Sequence, residues 1–213
     1  MCGITFSAEL AKRYKKECDA GNMRACFNLG VLYEHGKGVK EDYCKAVKLY
    51  KRACNGDNND ACVSLGVLYE YGICIEQDYH KASKLYKTAC DWGQMMGCFK
   101  LGVLYEHGTG VWEDYHKAVK LFKLVCDWGK PIGCNALGFL YQKGKHIKQN
   151  YQKAAKLYKK TCDNGSMWGC NSLGILYEHG KGVKQDKQKA KELFKKACDG
   201  GEDDGCKNEN GIP

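Results

Sequence analysis

The sequence predicts an all-α fold, a right-handed α/α solenoid of 36-residue helix pairs, each stapled by a disulfide. Three observations predict it. Twelve of the fifteen cysteines recur every 36 residues, a helical apolar stripe recurs in the same register, and glycines and capping residues punctuate each unit at matching places. A fixed period between about 20 and 50 residues marks stacked repeats, none of which can bury its apolar face alone.

The elements follow in order. A half repeat, 1–22, carries a B-type helix at about 7–18. Five complete pairs follow at 23–58, 59–94, 95–130, 131–166 and 167–202, and 203–213 is expected as a C-terminal tail. In the first pair Cys26, Leu29, Gly30 and Tyr33 fall at i, i+3, i+4 and i+7, the stripe of an amphipathic helix A over about 25–35. Gly30 is expected to let a neighbouring backbone approach closely. Ala46, Leu49, Tyr50, Ala53 and Cys54 repeat the logic in helix B, about 42–54. Gly36 suits the left-handed end of helix A, and Gly38 keeps the A–B loop tight. Asp42, Asp78, Asp114, Asn150 and Asp186 stand where helix B wants an N-cap. Strand signals are absent.

The cysteines sit at the other turn. Cys18, Cys54, Cys90, Cys126, Cys162 and Cys198 each precede a partner by eight residues: Cys26, Cys62, Cys98, Cys134, Cys170 and Cys206. Each pair spans the end of a helix B and the first turn of the next helix A, so the sulfurs face each other across a hairpin. Zinc fits poorly, because structural zinc sites use C-x2-4-C knuckles. Disulfides are therefore expected, each closing a short loop for roughly 2–3 kcal/mol. Cys44 and Cys74 both lie near the A–B edge of consecutive units. Whether they bond stays open, because sequence does not give the Cα distance a bond requires. Cys2 has no partner in the repeat.

Composition narrows the setting. With 34 basic and 25 acidic residues the chain carries a formal charge of +9, and its apolar fraction of 44% suits a globular protein. No apolar run approaches the roughly 18 residues a membrane span needs. The start, Met1-Cys2-Gly3-Ile4-Thr5-Phe6, lacks the basic segment and apolar stretch of a signal peptide. Export, secreted or periplasmic, is thus expected from the cysteines alone, since disulfides need an oxidising compartment.

The unit A-C-F-N-L-G-V-L-Y-E-H-G-K-G-V-x2-D-Y-x-K-A-x2-L-Y-K-x-A-C, residues 25–54, resembles the Sel1-like repeat, a relative of the tetratricopeptide repeat. The cysteine pair in every unit resembles one branch, the Helicobacter cysteine-rich proteins. That resemblance implies export, disulfide stapling, and either protein binding or penicillin binding with slow β-lactam hydrolysis. The sequence departs from the pattern where Cys74 and His146 replace the second loop glycine, which predicts altered loop geometry, and where Lys187 replaces a tyrosine.

The residues offer no nucleophile for the β-lactamase reading. None of Ser7, Ser64, Ser83, Ser166 or Ser172 has a lysine three residues on. No H-x-H or H-E-x-x-H appears, so no metal or other cofactor is expected. His35, His107 and His179 follow Glu34, Glu106 and Glu178; neighbours on a helix point in different directions, which favours a structural or solvated role. A catalytic set is not assignable.

By analogy with tetratricopeptide solenoids, three helix A positions face a ligand groove. They read Arg24, Asp60, Met96, Ile132 and Trp168; then Phe27, Val63, Phe99, Asn135 and Asn171; then Val31, Val67, Val103, Phe139 and Ile175. Stacking does not require a change from Asp to Trp. Met96, Phe99, Ile132, Asn135, Phe139, Trp168, Asn171 and Ile175 are therefore expected to hold a peptide or protein ligand of host or envelope origin. β-Lactams and cell-wall peptides follow as partners only from the resemblance. The five complete B helices hold about nineteen lysines and arginines against one acid, Glu192. That face suits anionic surfaces or simple solvation. No groove-reading motif points to nucleic acid.

Overall fold

A computed structural model describes residues 2–144 and 147–211. Among them are twelve helices and no strand. The chain divides into two compact units, Met1–Glu113 and Asp114–Pro213. The first holds α1 (Cys2–Asp19), α2 (Met23–His35), α3 (Tyr43–Asn55), α4 (Asn59–Tyr71), α5 (Tyr79–Asp91) and α6 (Met95–His107). The second holds α7 (Tyr115–Asp127), α8 (Pro131–Lys143), α9 (Tyr151–Asp163), α10 (Met167–His179), α11 (Lys187–Asp199) and α12 (Asp203–Gly211). Each unit is thus three B-to-A hairpins in sequence, an all-α solenoid built of stapled helix pairs. The segment expected as a tail is helical as α12, the A helix of a sixth hairpin. Cys206 at the repeat position already marked it.

One disulfide closes each hairpin: Cys18–Cys26, Cys54–Cys62 and Cys90–Cys98 in the first unit, Cys126–Cys134, Cys162–Cys170 and Cys198–Cys206 in the second. Their Cα atoms lie 4.5 to 4.8 Å apart. Cys44 and Cys74 are also bonded, with Cα atoms 5.3 Å apart. Seven disulfides point to an oxidising, non-cytoplasmic environment. Among the described residues no helix is long and apolar enough to cross a membrane.

The core repeats with the chain. Tyr50, Tyr86, Phe122, Tyr158 and Phe194, at one position of the B helices, are wholly buried. Four of these rings lie on the glycines of helix A. A Cβ on Gly30, Gly66 or Gly174 would sit 2.5 Å from the Tyr50, Tyr86 or Phe194 ring, and one on Gly138 would sit 2.6 Å from Tyr158. Gly30 therefore admits an aromatic ring, not the backbone the stripe suggested. The buried hydroxyls need partners. Tyr50 donates to Glu34 Oε2, Tyr86 to Glu70 Oε2 at 2.6 Å, and Tyr158 to Gln142 Oε1 at 2.9 Å. Phe194 and Phe122 carry no hydroxyl to satisfy. Burial first, then the glutamates, push the Tyr50 and Tyr86 phenols far above their usual value. Glu70 also takes Lys100 Nζ at 3.2 Å, tying α6 to α4.

The helix ends follow their local chemistry. Asp42, Asp78, Asp114, Asn150 and Asp186 each accept the backbone amide three residues on. Helix A is capped by Asn22, Asn58, Gln94 and Ser166 in four cases, while α8 begins at Pro131 without a side-chain cap. Gly36 ends α2 in the left-handed region at φ 65°. The second loop glycine has a further duty. A Cβ on Gly38, Gly110 or Gly182 would run into the backbone of Ser7, Tyr79 or Tyr151 at the preceding helix B. Cys74 keeps the same left-handed backbone, at φ 58°. The loop there holds its form, contrary to the altered geometry expected. His146, the other departure, lies outside the described residues.

Candidate functional site

In the second unit, the helix A positions singled out by the sequence separate into three kinds. Ile132, Phe139 and Trp168 stay exposed, at 39%, 37% and 37%, although their helix neighbours Leu137, Leu140, Leu173 and Leu176 are buried. Trp168 is anchored as well: its ring meets buried Tyr158 edge-on, 5.5 Å between centroids. Lys143 Nζ lies 5.2 Å from the Phe139 ring. Asn135 is intermediate. Its Nδ2 donates to Ser166 Oγ at 3.0 Å, while its Oδ1 is buried with no hydrogen-bond partner. Asn171 and Ile175 are used inside the fold. Asn171 is buried and its Oδ1 accepts from Asn208 Nδ2 at 2.8 Å, and Ile175 packs on Ala190 and Phe194.

In the first unit Met96 is exposed and Phe99 half-buried. Asp60, at the same repeat position, is exposed and accepts from Gln94 Nε2 at 2.8 Å. Beside it a cavity of about 310 Å³ is lined by Asp57, Asn58, Asn59, Asp60, Trp92, Gly93 and Gln94. Met96 and Asp60 thus belong to a surface of mixed polarity, unlike the apolar group of the second unit.

Sequence reasoning missed three tryptophans. Trp92 and Trp128 stand exposed at B-to-A turns, and Trp112, in an A–B loop, is 93% exposed. The signal was present. Trp92 and Trp128 occupy a turn position held elsewhere by Gly56, Asn164 and Gly200, and Trp112 stands where other units have Lys40, Glu76, Lys148 and Lys184. An aromatic at a solvated position has no packing reason.

The histidines are accounted for locally. His35 Nδ1 pairs with the Val31 carbonyl at 3.0 Å and His107 Nδ1 with that of Val103 at 3.2 Å. His179 Nδ1 lies 3.6 Å from Glu178 Oε2 on an exposed surface. Among the described residues no group of three His, Cys, Asp or Glu side chains could hold a metal ion. The B-helix lysines are exposed, yet several lie over helix A tyrosines: Lys45 over Tyr33, Lys153 over Tyr141 and Lys189 over Tyr177, at 4.6 to 5.1 Å. The helices also run on to Asp91, Asp127, Asp163 and Asp199, so their acids exceed the one expected. Lys87–Asp91 and Lys159–Asp163 pair at 2.6 Å.

The repeat itself decides the family. A profile of the Sel1 repeat matches residues 24–58, 59–93, 96–127, 131–166 and 169–202. The chain belongs to the Sel1-repeat family. Two solved structures resemble it closely. c5321, a protective antigen present in uropathogenic Escherichia coli strains, is 30% identical with a TM-score of 0.84, the match covering 92% of this chain and 42% of that one. This Sel1-repeat chain therefore spans less than half of the antigen's length. A Sel1 repeat protein from Oxalobacter formigenes is 27% identical with a TM-score of 0.81, covering 85% and 74%. Helicobacter pylori cysteine rich protein B is 31% identical over 64% of this chain and 98% of its own, with a TM-score of 0.49. A comparison with curated proteins gives no match.

Proposed function

We propose that this protein is an exported Sel1-repeat binding module that holds a peptide or protein segment on the helix A face of its second unit, at Ile132, Asn135, Phe139 and Trp168. One observation carries the reading: three large apolar side chains, Ile132, Phe139 and Trp168, remain exposed at repeat positions whose helix neighbours are buried. Trp168 is an anchor whose ring rests edge-on against buried Tyr158, and such packing lowers the entropy a partner must overcome on docking. Asn135, whose Nδ2 donates to Ser166 Oγ, ties α8 to the start of α10 beside them. Sel1 repeats as a class serve protein interaction, and the seven disulfides support a secreted or periplasmic setting. The description of the similar E. coli protein as a protective antigen is in keeping with that setting.

A phage-displayed peptide library panned on the oxidised protein tests this. Selected peptides should lose about 2 kcal/mol of affinity or more with Phe139→Asp or Trp168→Ala, while circular dichroism stays unchanged with Phe139→Asp. Trp168→Ala also removes a contact with Tyr158, so melting is measured on the same sample. Peptides that bind both variants as well as wild type would sink the assignment. Turnover of a chromogenic cephalosporin by the purified monomer would favour β-lactam hydrolysis instead.

A further inference from the structure

Six of the seven disulfides close a hairpin turn. The seventh, Cys44–Cys74, joins the amino end of α3 to the loop after α4, 30 residues on. The repeat does not need it. At the corresponding junctions Gly38, Gly110 and Gly182 rest directly on the backbone of the preceding helix B, and no cysteine pair stands there. Its surroundings differ too. Cys44 and Cys74 are both exposed, whereas every hairpin cysteine is buried or half-buried.

Exchange of a disulfide begins with a thiolate attacking one sulfur, so access and the quality of the leaving thiolate set the rate. Both favour this bond. Cys44 is the second residue of α3, where the helix dipole stabilises a thiolate. Asp42, the N-cap, opposes that charge, and Lys45 Nζ, 3.1 Å from Asp42 Oδ2, offsets it. Cys74 is held at φ 58°, in the left-handed region that a side chain with a Cβ enters only at an energetic cost.

We propose that Cys44–Cys74 is a thiol-exchange site, opened by a small-molecule thiol while the six hairpin bonds stay closed. The thiolate attacks Cys74 Sγ, forming a mixed disulfide there and expelling Cys44 as a thiolate that takes a proton from water. A second thiolate attacks the reductant's sulfur in the mixed disulfide and releases Cys74. Two thiols become one small disulfide, and two electrons pass to the protein.

Reduced glutathione is the probe. Free thiols on the folded wild-type protein are first blocked with N-ethylmaleimide; glutathione is then added, and samples are quenched with iodoacetamide and peptide-mapped over time. Cys44 and Cys74 should be labelled about tenfold faster or more than any hairpin cysteine, with helical circular dichroism unchanged and the glutathione adduct on Cys74. The double variant Cys44→Ser, Cys74→Ser should lose the fast phase and keep the six slow bonds. A hairpin pair that opens first, seven bonds that open together as helicity falls, or a fast phase that survives in the variant would overturn the proposal.

Discussion

The two kinds of turn in this chain use glycine for different reasons. At the B-to-A turns Gly21, Gly93, Gly129, Gly165 and Gly201 have positive φ, yet a Cβ on any of them would meet nothing within 4 Å. Only the backbone angle selects glycine there, and Asp57 takes the same place at φ 64°. At the A–B loops Gly38, Gly110 and Gly182 also have positive φ, and a Cβ would strike backbone besides. The disulfides follow this division. The turn with room around it is closed covalently in every hairpin, while the crowded loops at Gly38, Gly110 and Gly182 are held by packing, and among the described residues Cys74 alone breaks that pattern.

Substitution can break or sharpen the comparison. Gly182→Ala combines a left-handed alanine with a Cβ driven into Tyr151, and should destabilise by about 3 kcal/mol. Gly165→Ala has the angle problem alone and should lose about 1 kcal/mol. Denaturant unfolding of both variants, with disulfides intact, checks the ratio; equal losses would mean that the loop relaxes and crowding is unimportant.

The smallest effect concerns the caps. The Lys45 and Lys81 amides, bonding to Asp42 and Asp78, hold these carboxyls below their ordinary value of 3.8. A carboxyl lowered in the folded state stabilises it above the unfolded value, and that contribution fades as pH falls through the folded value. Protection of the Lys45 and Lys81 amides against hydrogen exchange should therefore drop as pH falls below 3.8. Lys153, capped by Asn150, should keep its protection over the same range. Parallel loss at all three would show general acid unfolding instead.

Much of this was legible because it is local. The spacing of Cys54 and Cys62, the left-handed Gly36 and the cap at Asp42 all depend on residues within about two helical turns. What the sequence concealed depends on distance across the stack. That Gly30 receives the Tyr50 ring, or that Asn171 is occupied by Asn208, involves partners 20 and 37 residues away. No periodicity states which atoms meet there. The expected groove residues show the same limit. Ile132 and Ile175 look alike in sequence, yet one stays exposed while the other packs on Phe194. The exposed tryptophans were readable in principle, as aromatics where sister units carry charge or glycine.

The bond between Cys44 and Cys74 also changes how the chain can be cut. It closes a covalent ring that encloses the smaller ring of Cys54–Cys62. A protease nicking the exposed turn at 55–57, or the chain at 71–73, would leave both ends tethered, and the molecule would keep its mass on a non-reducing gel. Nicks at A–B loops outside any ring, such as 109–113, divide the chain into separable pieces. A single cut between Cys44 and Cys74 thus separates the chain only when a reductant acts as well as a protease.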